Sequence, residues 1–140
     1  MLIKGKISKS RMAALAFFAD RLLTKQMQRH IMIEVVFRKK MKHLGLTSVE
    51  DYNLSYKPRD FLLDINANQS EMEIIRTIAH EMVHVKQYVY GELNEEATYW
   101  CGEKLARDLA YHEQPWEIEA HDVGDILLDE YTENFNVEWS

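Results

Sequence analysis

The stretch "IAHEMVHVKQY", residues 78–88, sets His80 and His84 four positions apart around Glu81, in a run that is otherwise mostly apolar. On an α-helix, positions i and i+4 stand one above the other on the same face. Two neutral imidazoles so placed can converge on one metal ion, and the expected ion is Zn2+, bound at about 2.0–2.1 Å. A catalytic zinc takes three protein ligands and keeps one position open for water. Glu81 follows the first histidine and is turned about 100° around the cylinder. From there its carboxylate can reach the water at the open position without joining the ligands, and act as general base. On a helix, H-E-x-x-H therefore predicts hydrolysis. The plain alternatives are two histidines merely packed or exposed, or a metal site without turnover.

The third ligand must come from elsewhere. Glu117 is the choice, in the first turn of an expected last helix behind Pro115 and Trp116. His121, one turn later on the same face, could orient a ligand by hydrogen bonding. Glu119 lies about 200° around that helix from Glu117, so both cannot be ligands on one straight helix. Glu119, His112 and His121 stay open as alternatives. Hydrolysis also needs a donor to the tetrahedral oxyanion. Tyr111 and His112, just ahead of Pro115, are the nearest candidates in sequence. Cys101 is a poor nucleophile, since no motif pairs it with a base.

These residues need elements to hold them. Ser70 and Glu73 match a capping box, and Gly91 sits where a helix-ending glycine belongs. Between them Ile75, Ile78, Met82, Val85 and Val89 form one apolar stripe. His80 and His84 lie on the other side, flanked by Ala79 and Val83, so both faces of this helix should be covered. The last helix starts at Pro115 and carries Trp116, Ala120, Val123, Leu127 and Tyr131 as its stripe. Near the N-terminus, "KSRMAALAFFADRLLTKQMQR" is rich in helix formers, with Met12, Leu15, Phe18 (or Ala19) and Leu22 at helical spacing and Ser8 or Ser10 as cap.

"HIMIEVVFRK" alternates, placing Ile31, Ile33, Val35 and Phe37 on one face of a strand. "MKHLGLTSVEDY" reads as a connection with a short helical turn. "YNLSYK" and "FLLDINA" read as two short strands around a "PRD" hairpin turn. Residues 92–112 read as a loop or short hairpin with some helix. Within them "TYWCGE" could wall the cleft, and Trp100 could pack over the active-site helix. The expected fold is α+β in a single domain over 1–140. It has an N-terminal helix, a small mostly antiparallel sheet of three or four strands, the active-site helix beneath it, and a C-terminal helix closing the site.

Composition sets wider bounds. With 46% apolar and 29% charged residues in 140, the chain reads as an ordinary globular domain. No window is apolar enough for a transmembrane helix, and "MLIKGKISKSRM" does not read as a secretory signal, so an intracellular, cytoplasmic location and no membrane partner are expected. One cysteine leaves no intramolecular disulfide and no cysteine zinc ribbon. The formal charge of −6 hides an asymmetry: residues 1–43 carry eleven Lys and Arg against two acids. The two parts could attract each other as packed layers or present separate solvated faces. Alternatively, Arg38, Lys39, Lys40 and Lys42 could form a basic patch for nucleic acid. Nothing in the sequence reads the oligomeric state.

"HEMVH" followed by "PWEIEAH" resembles the gluzincin branch of the zincin metallopeptidases. The resemblance implies zinc held by His80, His84 and Glu117, with Glu81 as base and a peptide or protein as substrate. Members usually carry Asp or Asn where this chain has His121. "IIRTIAHEMVHVKQY" also resembles the active-site helix of SprT-like proteins, which typically use a third histidine; many append a cysteine zinc ribbon and bind DNA. The resemblance spans residues 61–123 at motif level. Because Cys101 stands alone and a glutamate is on offer, a minimal intracellular gluzincin is the favoured reading, similar to compact phage- or prophage-encoded forms. A DNA-associated SprT-like protease, or a zinc module without turnover, are the alternatives.

Overall fold

The computed structural model describes residues 1–51, 57–105 and 108–139. The chain begins with strand β1, Leu2–Lys4, and helix α1, Lys9–Leu22, which Ser8 caps by accepting from the Arg11 amide. The expected long N-terminal helix is broken. Leu23 turns extended, and Thr24 caps a separate short helix α2, Lys25–Gln28, accepting from the Met27 amide at 3.1 Å. A threonine hydroxyl serves better as a cap than inside a helix, which explains the break.

Strand β2 is Met32–Arg38, β3 Gly45–Val49 and β4 Asp60–Asn66. The sheet order is β1-β2-β4-β3. The fold is α+β, as expected, but the sheet is mixed rather than mostly antiparallel: β2 pairs in parallel with both β1 and β4, and only β3 runs antiparallel to β4. The parallel β1–β2 pair follows from the α1 crossover between them. The chain then passes beyond β4 to lay down β3 and returns through the middle, so sequence neighbours β2 and β3 are not sheet neighbours. "GLTSV", expected to be part of a connection, is thus one of the sheet's two edge strands among the described residues. Of the strand expected at "YNLSYK", residues 52–56 lie outside the described residues.

Alternate residues Ile33, Val35, Phe61, Leu63 and Ile65 are fully or almost fully buried and join one core with Leu15, Phe18, Ile75, Ile78, Met82 and Val85. Helix α3, Glu71–Val89, runs through this core between the sheet and helix α4, Pro115–Asn134. Its N-terminus is capped by Ser70, whose hydroxyl oxygen accepts from the Glu73 amide and donates to the Glu73 carboxylate at 2.9 Å. Edge-on aromatic contacts of Phe17 and Phe18 with Tyr131 tie α1 to α4. After α3, strands β5, Tyr99–Trp100, and β6, Glu103–Lys104, make a small antiparallel hairpin. A single 3₁₀ turn at Tyr111–Glu113 leads into α4. Among the described residues, no helix is long and apolar enough to cross a membrane.

Candidate metal centre

Helix α3 carries His80, Glu81 and His84 at mid-length, where its caps and packing hold it most firmly. Helix α4 crosses close by because its facing residues are small: Ala120 is fully buried, and a Cβ built on Gly124 would stand 3.4 Å from the His80 backbone. That approach brings Glu117, in the first turn of α4, to both histidines. Glu117 Oε1 lies 3.0 Å from His80 Nε2 and 3.1 Å from His84 Nε2. Among the described residues, the donor atoms of His80, His84 and Glu117 converge within 4.8 Å of one another, a group that could hold a metal ion. Ligands at about 2.0–2.1 Å in a tetrahedron stand roughly 3.3 Å apart, so the spacing of the carboxylate to each imidazole fits such an ion.

The other candidates separate cleanly. Glu119 points away, its Oε1 3.1 Å from Gln87 Nε2 and 3.4 Å from Lys86 Nζ. His112 is exposed on the 3₁₀ turn. His121 stacks edge-on against His80 with ring centroids 4.7 Å apart, and its Nε2 is 3.1 Å from the Tyr111 hydroxyl. Tyr111 donates to Glu117 Oε1 at 3.1 Å. Burial, then the neighbouring Glu117 charge, pushes the Tyr111 hydroxyl well above its ordinary range, so it stays a proton donor. "TYWCGE" does not line the cleft; Leu93 and Ala97 before it do, as do Gly45, Leu46 and Thr47 of β3.

Glu81 is 4% exposed yet stands outside the three-donor group. Its Oε1 accepts from the Thr47 hydroxyl of β3 at 2.8 Å. Gly45 of β3 makes room for the carboxylate, since a Cβ there would meet Glu81 Oε2 at 2.8 Å and Thr77 Cγ2 at 2.6 Å. Burial raises the Glu81 pKa, and the opposing pull of His84, His80 and the Thr47 hydrogen bond does not cancel it. A carboxylate whose pKa is raised in this way is a better proton acceptor than a free one. Burial alone would also raise Glu117, but hydrogen bonds from His80 and His84 outweigh it and hold Glu117 far below the usual carboxylate range. Burial opposes charge on His84, yet Glu117 and Glu81 leave its pKa raised.

Two supporting residues escaped the sequence reading. Gln87 is fully buried; its Oε1 accepts from His84 Nδ1 at 2.8 Å while its Nε2 donates to the Trp116 carbonyl at 2.9 Å. With one proton held on Nδ1, it is the Nε2 proton, donated to Glu117 in the metal-free protein, that a metal ion would replace. The signal was a polar residue three positions after His84, on the same buried face. Thr47 left no comparable signal, because its partner lies on a distant element. The whole arrangement opens into a cleft of about 570 Å³. Comparison with protein-family models, with curated proteins and with solved structures finds no match to this chain.

Proposed function

We propose that this protein is a zinc-dependent peptidase of the gluzincin type, with His80, His84 and Glu117 as ligands and Glu81 as general base. The observation that carries this reading is the position of Glu81: buried, held by Thr47, and beside the three-donor group without belonging to it. A carboxylate as third donor favours the gluzincin set over the SprT-like one, which calls for a third histidine. The donors are one carboxylate and two imidazoles, a set that suits zinc. Bound there, zinc would act as a Lewis acid that polarises the scissile carbonyl and lowers the pKa of water towards about 7.

Glu81 accepts the proton from the attacking water as its oxygen bonds to the carbonyl carbon. It then delivers that proton to the amide nitrogen as the C–N bond breaks, giving a carboxylate and an amine. Tyr111, kept protonated, donates to the oxygen on which charge develops. Strand β3 supports a peptide as substrate. Among the described residues it pairs on one side only, with β4, and it lines the cleft, so an extended chain can hydrogen-bond along it as an added strand.

The test is Glu81→Gln, which keeps size and polarity but cannot take a proton at neutral pH. Zinc content and melting temperature should stay near wild type, while cleavage of an unfolded protein substrate falls about 10²- to 10⁴-fold. All three are measured on one preparation, because a rate loss accompanied by zinc loss says only that the site is broken. A variant that holds zinc and cleaves as fast as wild type sinks the hydrolase reading. Wild type that holds zinc and cleaves nothing points to a zinc module without turnover.

A further inference from the structure

The cleft has two chemically different ends, laid out along α3. At about 1.5 Å rise per residue, Arg76 lies roughly 6 Å before His80 and Tyr88 roughly 6 Å beyond His84. Towards Tyr88 the walls are Leu93 and Trp116; the lining also includes Lys42 and His43, from the loop that leads into β3. The packing fixes where that loop sits. Gly45 lies against Thr77 and Glu81, and Thr47 bonds Glu81, so β3 runs along α3 in the same direction. Residues before Gly45 therefore fall at the Arg76 end.

Lys42 is exposed and forms no ion pair among the described residues. Arg76 is 3.4 Å from Asp125, but both side chains are about half open to solvent or more, and such a pair is weak and readily exchanged. Elsewhere in the basic N-terminal third four cations are paired, Arg11 with Glu71, Arg21 with Glu130, Lys25 with Asp20 and Arg38 with Asp64, while Lys39 and Lys40 are exposed beside Lys42 but do not line the cleft. Lys4 lies on β1, at the opposite edge of the sheet from β3. Lys42 and Arg76 thus meet the cleft at one end, where Asp125, the weak partner of Arg76, is the acid that also lines it.

We propose that this end of the cleft is a subsite for an acidic side chain of the polypeptide substrate, received by Lys42 and Arg76; the inference rests on the peptidase reading above. An extended chain advances about 3.3 Å per residue, so the acidic residue stands two to three positions from the bond that is cut. Two cations inside a cleft match one carboxylate better than a nucleic acid, whose binding relies on many phosphate contacts spread along a face.

The test uses pairs of fluorogenic peptides that differ only by Glu or Lys, scanned over three positions on each side of the scissile bond. Wild-type protein loaded with zinc should favour Glu over Lys at least tenfold in kcat/KM at one of these positions. The preference should invert in Lys42→Glu and in Arg76→Glu, each of which brings a negative charge to that end. Cleavage with no charge preference at any position overturns this inference and leaves the peptidase reading standing. If no peptide is cut, the peptidase reading falls; the same pairs, titrated onto the zinc-loaded protein by fluorescence anisotropy, then decide the subsite separately, and equal affinities overturn it. Tight, steeply salt-dependent binding of duplex DNA that Lys42→Glu abolishes would also overturn it, assigning the surface to nucleic acid.

Discussion

Gln87 carries no chemistry of its own, yet in the proposed centre it would hold His84 in place. Its carbonyl oxygen holds the His84 Nδ1 proton, and its amide is anchored to the Trp116 carbonyl on α4. Partners of this kind behind a ligating histidine typically change metal affinity by about 10- to 100-fold when removed. Gln87→Met, close in volume, should therefore weaken zinc binding by that factor, read by competition with a chromophoric chelator. Gln87→Glu, which restores an acceptor for Nδ1, should bind more tightly than Gln87→Met. Equal zinc affinity in wild type and Gln87→Met would reduce Gln87 to a packing residue. At this scale the candidate site was legible where spacing is local: His80, Glu81 and His84 share five residues, and Glu117 follows a proline that marks a helix start. Gln87 and Thr47 were not, because what makes each matter is a partner on another element.

Helix α3 was legible from both ends, since a capping box, a terminal glycine and an unbroken apolar stripe all lie within one stretch. Strand β3 was hidden for the opposite reason. In "GLTSV" the large apolar residue Leu46 stands second and is 49% exposed, and Val49 ends the strand, so no alternation marks a buried face. The pairing of β2 with β4 was hidden as well, because it joins strands separated by all of β3. What decides the centre among the elements is how closely α4 approaches α3. At Gly124 an added methyl is just accommodated, 3.4 Å from the His80 backbone, and alanine gains helix propensity over glycine. Gly124→Ala should thus melt close to wild type and keep its zinc. Gly124→Leu adds bulk with no space to take it, at a cost of about 1–3 kcal/mol. It should push Glu117 away from the histidines and weaken zinc at least tenfold in the same competition assay. Wild-type zinc affinity in Gly124→Leu would show that the crossing does not set the ligand geometry.

Across the whole molecule, the basic start of the chain serves partly as a tie to the acidic remainder: Arg11, Arg21 and Arg38 each pair with a carboxylate beyond residue 43. This charge pattern was visible in the sequence, though which cations stay open to solvent depended on the packing. The exposed pairs contribute little individually, about 0–1 kcal/mol each. The larger global lever is the centre, which joins α3 to α4 and whose groups titrate. In the metal-free protein the raised His84 contributes stability that is fully present below its ordinary pKa of 6.5 and lost as pH rises through its raised value. Glu81, raised by burial, works in the same direction, costing stability as it ionises above its ordinary value of 4.5. The lowered Glu117 contributes above 4.5 and loses that contribution only as pH falls. Metal-free protein should therefore melt highest between about pH 4.5 and 6.5 and decline towards pH 8. Zinc at the proposed centre would act oppositely, because it binds deprotonated histidines and its affinity grows with pH. At a hundred times its dissociation constant it adds about 2.7 kcal/mol, or roughly 10 °C in a chain of this size. Melting curves of chelator-treated and zinc-loaded protein from pH 5.5 to 8 should diverge as pH rises, and His84→Ala should close the gap. Curves that run parallel across that range would mean that zinc does not engage His80 and His84, and the metal centre would fail as a reading of these residues.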